Sequence, residues 1–275
     1  MSDNHLPPKA RVDLDPQGSA HSGLSGYYEV ILRRFKAAVH MITLVPLYGL
    51  ASICLGLSLA PGLAFYRFVS AATGDAPFWL QLPVTATAIG VGYFFYGFTL
   101  LLLVPIANTL MAAWLKPWRG PYYSLGAVRW YIHNALTYLV RFTFLEFVTP
   151  TPFNIMFYRM MGMRIGRGTQ INSTHISDPS LITMGENVTI GGSATIVAHY
   201  GMGGFLVLAP VTICKGATIG LKATIMGGAV IGENAKILPN SVVLPKTHVP
   251  NGETWGGVPA QKIEISKLRR PRKAA

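Results

Sequence analysis

A six-residue period in the C-terminal half constrains this chain more than any other feature. An apolar residue stands at Ile165 and Ile171, then at Met184, Ile190 and Ile196. It returns at Val207, Ile213, Ile219, Ile225, Ile231, Ile237 and Val243 without losing step. Four places later a small residue is common: Thr169, Ala194, Ala217, Ala223, Ala229, Ala235 and Ser241. Periods near 3.6 vanish here, so helices are not the reading. Each hexad supplies a short strand and a corner. Its apolar residue points inward, and stacked coils bury it in a continuous core. The small residue fits the tight inner corner. Three hexads close a triangular coil, so this stretch predicts about four coils spaced by about 4.8 Å. The period leaves the handedness open.

Two interruptions break the step. Ile171 to Met184 is 13 residues, one more than two hexads. Ile196 to Val207 is 11 residues, five more than one hexad. The second insert predicts a projecting loop that holds His199, Tyr200, Gly203 and Gly204. Loops on a rigid solenoid are where function concentrates.

The N-terminal half is of another kind. Charged residues make up only 12% of the chain, against about 25% in typical soluble domains. Two cysteines exclude a disulfide framework. Residues 1–26 are polar and read as a flexible tail without the order of a signal peptide. Ala37 to Ala60 carries no formal charge, and neither does Ala76 to Leu115. About 20 apolar residues cross a hydrocarbon core of roughly 30 Å. Residues 27–123 therefore predict a transmembrane helical hairpin, with Pro83 opening its second helix. The alternative is a buried hydrophobic hairpin in a soluble fold. Arg33, Arg34 and Lys36 precede the hairpin, and Lys116, Arg119 and Arg129 follow it. The positive-inside rule then predicts a multi-pass protein of the inner (cytoplasmic) membrane with a cytosolic repeat domain.

Residues 124–152 predict an amphipathic helix at the membrane interface. Arg129, His133, Thr137 and Arg141 recur every four residues and share one face. That basic stripe meets water or lipid headgroups, or steers an anionic lipid-linked acceptor. The repeat domain is read as 153–265 and a basic tail as 266–275. The net charge of +12 lies mostly in segments 116–164 and 265–275, each contributing +5. It points to anionic lipid headgroups rather than nucleic acid.

The hexads, the loop-borne His199 and the ending GGVPAQKI at Gly256–Ile263 resemble the hexapeptide-repeat acyltransferases. The resemblance covers roughly Ile165–Ile265. It implies a left-handed parallel β-helix, a homotrimer, and active sites between neighbouring coils. It implies acetyl-CoA or another acyl-CoA as co-substrate, with no tightly bound cofactor. CoA would lie towards the C-terminal end, with Ala223, Lys246, Gly257 and Lys262 as candidate contacts. It also implies a catalytic His, here His199, and an Asn, here Asn172. The membrane part is similar to the C-terminal module of the polyamino-acid synthetases, which leaves the donor open between a CoA and a carrier-bound thioester.

The chemistry needs a base and an oxyanion donor. A neutral imidazole can take a proton as a hydroxyl or amine attacks a thioester. An amide such as Asn172 can meet the oxyanion. Asp178 can orient the histidine, as carboxylates do in triads, or simply shape the turn at Pro179. Lys246 and Lys262 can meet CoA phosphates or remain solvated. Cys214 sits in a regular hexad and reads as structural. Position 204 is Gly and no Cys/His cluster occurs, so no zinc site is expected. The leading expectation is a membrane-bound acyltransferase acting on a lipid, lipid-linked sugar or other membrane-associated acceptor. Amide ligation from a carrier-bound aminoacyl thioester is the alternative, and a scaffold with a decayed site is the third.

Overall fold

A computed structural model describes residues 22–264. The basic tail 266–275 and residues 1–21 of the N-terminal tail lie outside the described residues. The rest of that tail is ordered differently from expectation, because helix α1 already begins at Gly23 (Gly23–Arg34).

Two long helices follow, α2 (Lys36–Ala72) and α3 (Phe78–Leu110). Leu44–Ala72 and Phe78–Leu110 are long and apolar enough to cross a membrane. Only 11% and 28% of their most apolar windows are buried. The core helix of a water-soluble domain is mostly buried, whereas most of these two stretches is not buried within the described residues. Pro83 lies inside α3, and Pro77 instead precedes its first turn. The helices meet where Gly62 faces Gly92. A Cβ on Gly62 would fall 2.7 Å from the Gly92 carbonyl oxygen. Small residues thus let the backbones touch, as in packed membrane helices.

The predicted interfacial helix is a connector. It comprises α4 (Val128–Val140) and a π turn at Arg141–Leu145. Thr151 then caps α5 (Pro152–Met160), and its hydroxyl accepts from the Phe153 N–H at 3.3 Å. The basic stripe does not form an exposed face. Arg129 is exposed, but His133 and Thr137 are buried. The reason is packing on two sides. Leu136, Val140 and Phe144 join one core cluster with Leu100, Leu101 and Val104 of α3 and with the first coils. A helix clamped between two bodies keeps little face for water.

From Arg164 the chain winds into three parallel sheets. The first stacks β2 (Arg164–Ile165), β5 (Ile182–Met184), β10 (Val211–Ile213), β13 (Val230–Ile231) and β16 (His248–Val249). The second stacks β3 (Gln170–Ile171), β6 (Thr189–Ile190), β11 (Thr218–Ile219), β14 (Lys236–Ile237) and β17 (Thr254–Gly256). The third stacks β4 (Ile176–Ser177), β7 (Thr195–Val197), β12 (Thr224–Ile225) and β15 (Val242–Val243). Equal register brings isoleucine onto isoleucine, as in Ile190 to Ile219 to Ile237. The inward isoleucines from Ile171 to Ile237 are at most 2% exposed, while Ile165 in the first coil is half-buried, and the corner residues from Ala194 to Ser241 are fully buried. Burying each large side chain contributes about 1.5–3 kcal/mol.

The two interruptions resolve differently from the simple count. The first conceals a full side of the coil at Ile176–Ser177, followed by a 3₁₀ turn at Pro179–Leu181. The second is a β-hairpin rather than a loop, made of β8 (His199–Met202) and β9 (Phe205–Leu208) around Gly203 and Gly204. Val207 therefore belongs to the hairpin, where it pairs with Tyr200, and not to the coil. The connector strand β1 (Trp118–Pro121) adds antiparallel to β9 as a third strand. The coil resumes at Val211.

Candidate active site

Asp178 ends the first coil's third side. Its φ is +61°, a left-handed conformation that Asp tolerates better than most residues. The side chain is fully buried. Oδ1 accepts from Trp130 Nε1 at 2.9 Å and from Asn134 Nδ2 at 2.7 Å. Oδ2 accepts from the Ala198 N–H at 3.0 Å and from His199 Nδ1 at 2.6 Å. Trp130 and Asn134 are one turn apart on α4, so they share a face. Four donors fix both oxygens.

His199 stands one coil above Asp178, at the same corner. A carboxylate only accepts, so Nδ1 carries a proton, and in the neutral imidazole Nε2 is then the nitrogen with the lone pair. The His199 side chain remains 22% exposed. The Trp130 indole meets the imidazole edge-on at 5.1 Å, which limits its tilt. The next coil lies close above. A Cβ on Gly227 would fall 3.0 Å from the His199 backbone nitrogen, so a larger residue there would crowd this corner. On the outer side the hairpin is pinned to the connector. Tyr122 crowds Gly201 with its hydroxyl, and the Arg119 guanidinium sits 4.8 Å above the Phe205 ring.

The structure brings His199 and Asp178 together. It does not bring Asn172 to them within one chain. Asn172 is exposed on the corner between the second and third sheets, whereas His199 lies on the corner after the third. Ala223 is fully buried, its N–H donates to the Gly220 carbonyl and its own carbonyl accepts from the Thr195 N–H. Lys246 is exposed at the His199 corner two coils on, and its N–H donates to the Gly227 carbonyl at 3.1 Å. Gly257 is exposed with φ +94°, and its N–H donates to Ser241 Oγ at 3.2 Å. Lys262 lies elsewhere, 2.5 Å from Glu253 across the closing antiparallel pair of β17 and β18 (Gln261–Lys262). That contact holds Glu253 below the usual carboxylate range and Lys262 above the usual lysine range.

Neither Trp130 nor Asn134 is marked by the sequence patterns above. Their one local signal is the four-residue spacing of two side-chain donors beside the basic stripe. His133, next to Asn134, turns the other way. Its Nδ1 lies 2.9 Å from Asn108 Oδ1, and Nε2 is buried with no partner among the described residues. Burial pushes this imidazole down to about 4, against a smaller opposing pull from Asp178. In the unfolded chain it titrates near 6.5. Below that pH the unfolded state takes the proton first. Stability is therefore full above about pH 6.5 and declines as pH falls towards 4, by up to about 1.4 kcal/mol per pH unit. A melting series from pH 7 to pH 4.5 should show the decline, and His133→Gln should flatten part of it.

Among the described residues, no three His, Cys, Asp or Glu side chains gather to hold a metal ion. No family model matches the chain. The sequence is similar to the delta-poly-L-ornithine synthetase of Acinetobacter baumannii (strain AB307-0294). The two are 26% identical over 229 residues, which is 83% of this chain and 16% of that protein. The chain thus spans well under two thirds of that relative's length. A hexapeptide-repeat-containing acetyltransferase of Vibrio cholerae O1 biovar eltor, solved with acetyl coenzyme A, is 28% identical. The match covers 38% of this chain and 60% of that one, at a TM-score of 0.34. A maltose O-acetyltransferase of Clostridium difficile 630 is 19% identical, with 54% of this chain and 92% of that one covered, at a TM-score of 0.41. Both resemblances drawn from the sequence, to hexapeptide-repeat transferases and to polyamino-acid synthetases, recur among these proteins.

Proposed function

We propose that the chain is a membrane-bound acyltransferase. It moves an acetyl or other acyl group from a CoA thioester to a hydroxyl or amine of a membrane-associated acceptor. The observation that carries this reading is the His199–Asp178 pair, held at 2.6 Å in a buried cradle of donors. His199 Nε2 takes the proton from the acceptor as its oxygen or nitrogen attacks the thioester carbonyl carbon. The tetrahedral intermediate collapses, the carbon–sulfur bond breaks, and the imidazolium returns its proton to the departing thiolate. Asp178 stabilises that imidazolium through Nδ1.

Following the resemblance, the coil is left-handed and the molecule a homotrimer. The exposed Asn172 corner of one protomer then faces the His199 corner of its neighbour, where its amide can meet the oxyanion. CoA lies along the His199 corner past Gly227 towards Lys246, with the backbone of Gly257 shaping the far end. Lys262 is engaged by Glu253 and is left out of this path. The hairpin, which carries only Arg67 and Asp75 as charges between Ala37 and Leu115, crosses the inner (cytoplasmic) membrane, with the repeats on the cytosolic side where CoA is available. Lys246→Ala should raise KM for acyl-CoA about fivefold with kcat nearly unchanged, because a phosphate contact is the same in ground and transition states.

One observation favours a second reading. The likeness to the polyornithine synthetase extends over 83% of this chain, beyond the repeats into the helices. In that reading the same base serves amide formation from a carrier-bound aminoacyl thioester. The deciding assay uses the full chain in lipid vesicles with acetyl-CoA, longer acyl-CoAs and an aminoacyl-loaded carrier protein. Thiol release and label transfer are followed together. Release from CoA thioesters supports the first reading. Release from the carrier alone sinks it.

A further inference from the structure

A cavity of about 480 Å³ opens between α2 and the segment that leads into α4. Leu44, Leu47, Gly49 and Ile53 form one wall, and Tyr122 and Tyr131 stand opposite. None of its lining residues carries a formal charge. Its size is that of a small-molecule site, and its lining is more apolar than most. The α2 wall is one end of the Leu44–Ala72 stretch, whose outer residues Val45 and Tyr48 are exposed. The cavity therefore opens at the cytosolic end of the apolar hairpin, onto the surface that hydrocarbon covers.

The wall of the cavity adjoins the surroundings of the base, although His199 and Trp130 are not among the residues that line it. Tyr122 is shared between the two. Its ring meets Trp130 at 6.2 Å, and its hydroxyl crowds Gly201, two residues after His199. Trp130 in turn touches His199 and holds Asp178. The order is cavity, Tyr122 and Trp130, His199, then Gly227 and Lys246. The donor path occupies the coil side of the base, and the cavity lies on the membrane side.

We propose that this cavity seats one hydrocarbon chain of the lipid whose headgroup accepts the acyl group. The proposal rests on the acyl-transfer reading and names its acceptor as a lipid. An apolar slot excludes a charged headgroup, so the headgroup is left at the mouth nearest His199. Gly49 forms the gap, because a Cβ there meets nothing within 4 Å.

The test uses the full chain in vesicles of phosphatidylethanolamine and phosphatidylglycerol. A small share of the phosphatidylethanolamine bears a diazirine in its palmitoyl chain. After photolysis, cross-links should concentrate at Tyr122 and Tyr131, about tenfold above those at exposed Leu63. Gly49→Phe fills the slot from a helical position that accepts a larger side chain. It should cut the cavity cross-links about tenfold. Gly90→Phe, also open to its surroundings but outside the cavity, should leave them unchanged. Equal labelling at Leu63 and Tyr131, or equal effects of the two variants, would overturn the proposal. Thiol release from acyl-CoA, measured in the same samples, is independent of this labelling. Its absence from the wild type sinks the transferase reading, and with it the lipid's role as acceptor, whereas flat labelling with intact thiol release sinks the cavity alone.

Discussion

His199→Ala should lower kcat about 10²–10⁴-fold, the contribution usual for a positioned general base. The fold should survive. The imidazole is partly exposed, and its loss removes one hydrogen bond to Asp178, leaving Oδ2 with the Ala198 N–H. That costs about 1–3 kcal/mol at most. Single-turnover transfer from acetyl-CoA, beside a melting curve and a native mass, separates rate from folding. A variant that is folded and as fast as wild type would place the base elsewhere.

Asp178→Asn should lose both rate and stability. Each carboxylate oxygen accepts two hydrogen bonds. An amide has one accepting oxygen, so in either orientation its NH₂ faces two donors. Turning the NH₂ towards Ala198 and His199 forces the imidazole into the other tautomer or out of place. Turning it towards Trp130 and Asn134 breaks the tie to α4. Leaving two buried donors without an acceptor costs about 1–3 kcal/mol for each. For a chain of this size that lowers the melting temperature by roughly 10 °C. The rate should fall by about the same factor as for His199→Ala, and the pH–rate profile of the residual activity should shift. Asn134→Ala removes a single donor and should fall between wild type and Asp178→Asn in both readouts. If Asp178→Asn melts like wild type, the four-donor cradle is not what holds the corner.

These predictions rest on a contact across three chain segments, and that explains what the sequence could show. The hexads announce themselves because an inward residue every six places is a local rule. Ile213 to Val243 fall where the rule puts them. The rule misassigns Val207, because a hairpin strand also alternates apolar residues and happens to keep the count. The 13-residue interval hides Ile176 for a related reason: one side of the coil is shortened and the turn after Asp178 is lengthened. The stripe on α4 is a real helical period, but its meaning depends on neighbours. His133 meets Asn108 of α3, while Trp130 and Asn134 face Asp178.

By itself the sequence determined the two halves of this protein. The uncharged runs Ala37–Ala60 and Ala76–Leu115 are long enough to cross a membrane as helices, and a strict hexad must coil to bury its isoleucines. It also singled out His199, because an insert in a strict repeat is visible by counting. Tertiary structure alone decided that Asp178 meets His199, that α4 supplies Trp130 and Asn134 to hold it, and that Asn172 faces another corner. The reason is physical. Periodicity is written residue by residue into the chain, whereas the docking of a helix against a coil depends on shape and on buried donors finding acceptors. Those partners lie 44 and 48 residues from Asp178, beyond the reach of any local pattern.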